Sequence, residues 1–190
     1  MPELTTAALE HLITEFFLSG GKQRLSDLAR PFAIDELIRP FENLRRTMSR
    51  TLQGLTEAQV MFSPDANTYS VSEVVTHLIS AQGNTYNAFL DIACSTLPHV
   101  DPVPRGPGAG AEKGVTAADL QHRLQQATHD LIDILRKTYN PAEEREVLHP
   151  IFSNLTYKGW MLFQLAHDLD HVKQAQTVRR SPSFPSKHAG

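Results

Sequence analysis

The sequence predicts an all-α fold, a four-helix bundle preceded by one extra N-terminal helix. Three observations carry that prediction. Apolar residues recur three and four positions apart through successive segments, which places them along one side of a helix. Helix starts are marked by Ser or Thr followed three residues later by an acidic residue. Runs of alternating apolar and polar residues, the mark of half-buried strands, are nearly absent. With 190 residues, 41% of them hydrophobic and 21% charged, the chain has the make-up of one compact folded unit, a size that buries roughly 70% of its unfolded surface.

Leu9, Leu12, Ile13 and Phe16 mark the N-terminal helix, which Gly20 and Gly21 are expected to end because glycine takes the left-handed conformation after a helix C-terminus. This helix reads as an appendage. The second helix runs from about Ile34 to Leu55, with Leu37, Phe41, Leu44, Met48 and Leu52 on one stripe. Pro40 lacks an N–H and is expected to kink its first turns or shift its start. The third helix has the clearest beginning: Ser70 caps it, Glu73 completes a capping box, and Tyr69 packs on Val74 as a hydrophobic staple. It continues through His77 and Leu78 toward Ile92.

Residues 97–115 are rich in Pro and Gly and form a long loop, which either closes an antiparallel pair or carries a crossover. Thr116 caps a fourth helix with Leu120, Leu124, Ala127, Leu131 and Leu135 as its buried stripe, broken by Tyr139, Asn140 and Pro141. A polar, extended connection leads to the last helix, from about Tyr157 to Arg180, where Arg179 and Arg180 suit the negative C-terminal end. The expected division is a helical extension over 1–22, the bundle over 33–180 and a disordered tail over 181–190. There is no internal repeat.

A formal net charge of -3 with scattered basic residues gives no footprint for a phosphate backbone, so nucleic acid is not an expected partner. The single cysteine, Cys94, makes no internal disulfide, and the N-terminal stretch carries Glu3 and Glu10 in place of a basic leader. No window reaches the roughly 20 consecutive apolar residues of a membrane span. A cytoplasmic protein without a membrane partner is the expectation. No phosphate loop, dinucleotide fingerprint or serine-hydrolase elbow is present.

The run His167-Asp168-Leu169-Asp170-His171 places two imidazoles four positions apart, about 40° around one helix and one turn along it, so both reach one ion. Neutral imidazole suits zinc, nickel, copper or iron. The spacing alone is permissive: a solvated pair fits it equally well. His77, in the apolar stretch Val74–Ser80, is the candidate third ligand, and a hydrogen-bonded core histidine is its alternative reading.

Two motifs resemble the DinB-like, or damage-inducible, superfamily of metal-binding four-helix bundles. One is YSVSEVVTHLISAQ over 69–82, a capped helix with a histidine in an apolar turn. The other is HPIFSNLTYKGWMLFQLAHDLDHVKQAQ over 149–176, a long lead-in to a final helix with two histidines and then glutamine. The N-terminal helix lies outside the resemblance, which covers roughly 33–180. It implies a divalent-metal site of His77, His167 and His171, with zinc or nickel as the expected ion. Many relatives carry a histidine where this chain has Asp170, and a glycine where it has Lys173.

Asp170 is then the candidate catalytic group, as an orienting carboxylate, a direct ligand or a base on bound water. Gln174, seven residues after His167, is the candidate substrate-binding residue or a partner to a ligand. Trp160 and Phe163 are expected in the core, and Asp168 toward solvent or another helix. Three protein ligands leave an open position on the metal. By the resemblance, the activity implied is a thiol S-transferase using a low-molecular-weight thiol on a small-molecule electrophile, with metal-activated hydrolysis as its variant. The competing reading is a metal-stabilised stress-response scaffold without turnover, for which an exposed apolar helix face would favour a homodimer.

Overall fold

The computed structural model describes residues 4–18, 24–101, 114–142 and 145–186. Among them the chain forms α1 (Thr6–Leu18), α2 (Leu25–Ala29), α3 (Ile34–Leu52), α4 (Glu57–Val60), α5 (Val71–Ala93), α6 (Ala117–Thr138), β1 (Val147–His149), β2 (Ser153–Leu155) and α7 (Tyr157–Arg179). The expected all-α bundle is present, built from α3, α5, α6 and α7. No helix of the described residues is long and apolar enough to cross a membrane.

The stripe Leu37, Phe41, Leu44, Met48 and Leu52 is buried along α3. Pro40 sits inside that helix without ending it or shifting its start. In α6 the buried stripe carries Thr128 where Ala127 was expected, and Ala127 lies half-exposed at its edge.

Two apolar clusters fill the bundle. The first joins Leu37–Leu44 of α3, Ala88–Ile92 of α5, Leu131–Leu135 of α6 and Tyr157–Leu169 of α7. The second joins Met48 and Leu52, Val71–Leu78, Leu120 and Leu124, and Val172–Val178 of the same four helices. Helices α3 and α7 therefore run from the first cluster to the second, and α5 and α6 run back. Packing pairs α3 with α7, α7 with α5, α5 with α6 and α6 with α3. Neighbouring α5 and α6 are parallel, so the chain between them is a crossover that returns along a helix about 34 Å long. Its first part lies on α5: Asn87 Nδ2 donates to Val100 O and Val100 N to Asn87 Oδ1, each at 2.8 Å. Gly83 permits this approach, since a Cβ there would meet Val100 Cγ2 at 3.0 Å. Residues 102–113 of the expected loop lie outside the described residues.

Three expectations need correction. The N-terminal helix is no appendage, because Leu9 and Phe16 are buried in the first cluster. The connection before the last helix holds the antiparallel hairpin β1–β2, with Val147 opposite Leu155 and His149 opposite Ser153. Its turn is closed by His149 Nδ1, which accepts from Ile151 N and Phe152 N at 3.1 and 3.2 Å. Finally, residues 181–186 are ordered against the bundle: Phe184 packs edge-on against Phe62, and Gln59 Nε2 donates to Pro185 O at 2.8 Å. One apolar side chain in a polar tail suffices once it finds a partly buried cluster. Residues 187–190 lie outside the described residues.

Candidate metal centre

Local sequence fixes the register of both helices that carry the histidines. At the start of α5, Glu73 N donates to Ser70 Oγ (3.2 Å) and Ser70 N to Glu73 Oε2 (2.7 Å), the reciprocal pair of a capping box. At the start of α7, Gly159 N donates to Thr156 Oγ1 at 3.2 Å. A Cβ on Gly159 would meet Ser26 Oγ at 2.6 Å and Ser26 backbone at 3.2 Å, so the absent side chain lets α2 lie against α7.

His77 of α5 and His167 and His171 of α7 come together, half-buried, between these helices. Their ligating nitrogens all lie within 4.8 Å of one another. His77 Nε2 and His167 Nε2 are 3.0 Å apart. Two nitrogens bound to one ion at about 2.0–2.1 Å stand roughly 2.9–3.4 Å apart in octahedral or tetrahedral geometry. The observed spacing fits one shared ion, and a set of three imidazoles suits a divalent transition metal.

Gln174 Oε1 lies 2.7 Å from His171 Nδ1 and accepts its N–H, which leaves the His171 Nε2 lone pair for the cluster. Burial, and next the neighbouring His167, lower the His171 pKa below the ordinary 6.5; the Gln174 bond acts in the opposite direction. The neutral ring is the metal-binding form. Gln174 is thus committed to a histidine and does not line the adjoining cavity.

Asp170, the candidate catalytic group, is exposed and is not among the side chains whose donor atoms converge. Its reach is electrostatic, raising the pKa of His171. One residue before His171 on the helix, it is rotated about 100° from that ring. The buried carboxylate is Asp168, which faces another helix: Gln82 Nε2 donates to Oδ2 at 3.0 Å and Gln164 Nε2 to Oδ1 at 2.5 Å. Thr85 Oγ1 donates to Gln164 Oε1, and Thr128 Oγ1 to Gln82 Oε1. Arg45, whose Nε and Nη1 are buried without hydrogen-bond partners, interacts electrostatically with Asp168. Burial lowers its pKa to about 10, against the pull of that carboxylate. All four bundle helices thus contribute to a polar layer between the two apolar clusters. Asp168 Oδ1 also lies 3.5 Å from His167 Nδ1, the edge of the ring that faces away from His77.

A cavity of about 440 Å³ opens beside the cluster, with His77 and His167 in its wall. Trp160, buried in the core as expected, and Phe163 form one side, and the β1–β2 hairpin forms another. His149 belongs to this wall, 4% exposed, its ring 4.2 Å from Phe163 and 4.6 Å from Trp160 between centroids. In the sequence it lacked a partner at metal-ligand spacing; the available signal was the short alternation Val147, Leu148, His149, whose outer residues turn inward. A separate cavity of about 500 Å³ lies between α5, α6 and residues 97–101 and contains none of the three histidines.

No curated protein matches the chain. Residues 41–175 match the DinB superfamily, a span that contains His77, His167, His171, Asp168 and the hairpin. The match begins inside α3 and so leaves α1 and α2 outside it. A bundle with three convergent histidines and this match together establish that the chain belongs to the DinB superfamily.

Proposed function

We propose that the protein is a metal-dependent S-transferase that joins a low-molecular-weight thiol to a small electrophile. The observation that carries this reading is the contact between the histidine cluster and the cavity: His77 and His167 belong to both. Three side-chain donors are fewer than a closed structural site uses. No fourth acidic, histidine or cysteine donor joins the group among the described residues.

His77, His167 and His171 would hold the ion, zinc or nickel, and Gln174 keeps the third ring in its ligating tautomer. A divalent ion bound there supplies Lewis acidity that favours thiolate over thiol. The chain itself orients the partners. The cavity wall holds the electrophile beside the cluster and excludes water from it. The thiol proton leaves to solvent, a sulfur–carbon bond forms and the leaving group departs with its electron pair. Cys94 has no part, because it is exposed at the C-terminal end of α5, beside Arg145 and away from the histidines.

Two measurements test this. Protein purified without an affinity tag should contain about one divalent ion per chain by elemental analysis; undiminished content in His167→Ala would remove the ligand set. The loaded protein, given a panel of small thiols and an electrophile, should form a conjugate that a chelator abolishes. Release of a hydrolysed product without thiol incorporation would replace transfer with metal-assisted hydrolysis.

A further inference from the structure

The cavity beside the histidines has a composition that selects its occupant. Its α7 side is lined by Trp160 and Phe163, and the hairpin adds Phe152. On α5, Ala81 and Ala88 stand on the same helix face as His77 and leave the space open. Among the described residues no lysine or arginine lines it, and the one acid that does, Asp91, is exposed at the end of α5 and bound to His99 at 2.8 Å. In the metal-free protein an anionic body would therefore lose its hydration with no side-chain cation of the described residues to replace it.

Two asparagines face the cavity from α5 and differ in availability. Asn87 uses both ends of its amide on Val100. Asn84, half-buried and two turns beyond His77, has no hydrogen-bond partner among the described residues. Aromatic walls, no side-chain cation among the described residues and one unengaged amide define a recognisable site.

We infer that this cavity binds an uncharged, aromatic-bodied molecule, with Asn84 meeting its polar substituent. As the electrophile of an S-transfer, that identification rests on the function proposed above; as a binding site it does not. Trp160 is the only tryptophan of the chain, so its fluorescence reports occupancy directly.

The probe is 1,3-dinitrobenzene, an inert nitroaromatic quencher, titrated into the chelator-treated full chain without thiol. The same ring bearing a charge, 3,5-dinitrobenzoate, and the small quencher nitromethane serve as comparisons. Saturable quenching by the neutral ring is expected, with binding of the carboxylate at least about tenfold weaker, the equivalent of about 1.4 kcal/mol. Asn84→Ala should weaken binding about fivefold with an unchanged melting temperature. Ala81→Leu, which fills the space next to His77, should abolish saturation. Linear, nitromethane-like quenching of the parent protein would overturn the inference, as would equal binding of the carboxylate or full binding by folded Ala81→Leu.

A second arm uses metal-loaded protein with 2-mercaptoethanol and 1-chloro-2,4-dinitrobenzene. Conjugation there forms the sulfur–carbon bond, breaks the carbon–chlorine bond and releases chloride and the thiol proton to buffer. Saturable, selective binding with no conjugate for any thiol would retire the S-transfer reading and leave the aromatic site standing. Conjugation unaffected by Ala81→Leu would place the electrophile elsewhere and overturn the inference.

Discussion

Replacing Asp168 with alanine tests the polar layer at its centre. The carboxylate accepts from Gln82 and Gln164 and opposes the charge of Arg45, two of whose nitrogens are buried without partners. The substitution leaves that guanidinium without its buried counter-charge and frees two buried amide N–H groups. Each buried N–H left without its acceptor costs about 1–3 kcal/mol, so the two amides, with the weakened field on Arg45, together cost about 3–5 kcal/mol. For a protein of this size, where one kcal/mol shifts the midpoint by about 2–4 °C, the melting temperature should fall by about 6–20 °C. Thermal and urea unfolding of the chelator-treated protein, followed by helical circular dichroism, measure this without a contribution from metal. A cycle with Arg45→Met separates the charge from the amides. That second substitution removes a cation whose burial already lowers its pKa to about 10, so the double variant should recover about 1–3 kcal/mol relative to additivity. A loss below about 1 kcal/mol in Asp168→Ala, the size of an ordinary surface change, would refute the layer as a structural element.

Other perturbations follow from the same geometry. Gln174→Ala removes the acceptor that holds His171 Nδ1, and should weaken divalent-metal affinity about 10–100-fold by competition titration while leaving the helical signal intact. Gly159→Ala drives a methyl into Ser26 and should destabilise by about 1–3 kcal/mol, with the loss concentrated in the α2–α7 contact and visible as faster amide exchange in α2. The His171 pKa is lower in the folded chain than its ordinary 6.5. The unfolded chain therefore binds the extra proton first, and the stability of metal-free protein should be full above pH 6.5 and decline as pH falls through the lowered folded pKa. His171→Gln should flatten that acid limb in urea midpoints taken across the range.

Periodicity carried the bundle because α3, α5, α6 and α7 each bury a repeating stripe, and the caps at Ser70 and Thr116 set two registers in advance. The three-histidine site was legible through the resemblance of 69–82 and 149–176 to the DinB-like superfamily; spacing and periodicity alone left a solvated pair and a core histidine open. Other features depended on tertiary contact. The short helices α2 and α4 have too few residues to show a period. The hairpin is only three residues per strand, and its closing contact, an imidazole accepting two amides, has no local signature. Asp168 and Asp170 flank the same pair of histidines at similar spacing. Only the placement of α5, which brings Gln82 within reach of one flank, decides that Asp168 is the buried carboxylate and Asp170 the exposed one. The crossover direction likewise has no local signature: it shows in the parallel run of α5 and α6 between the two clusters and in the bonds of Val100 to Asn87, behind it on α5.

His77 and His167 are separated by 90 positions in the chain yet touch through their ring nitrogens. Anything that grips both rings fastens a long loop containing the rest of α5, the crossover, all of α6 and the hairpin. In a chain-entropy account, fastening a loop of about this length restricts the unfolded ensemble by roughly 4–5 kcal/mol. An ion at this centre would act as a removable cross-link between distant parts of the chain. Unfolding midpoints should then climb with the concentration of free metal, so the protein's mechanical integrity and its loading state would be read by one measurement.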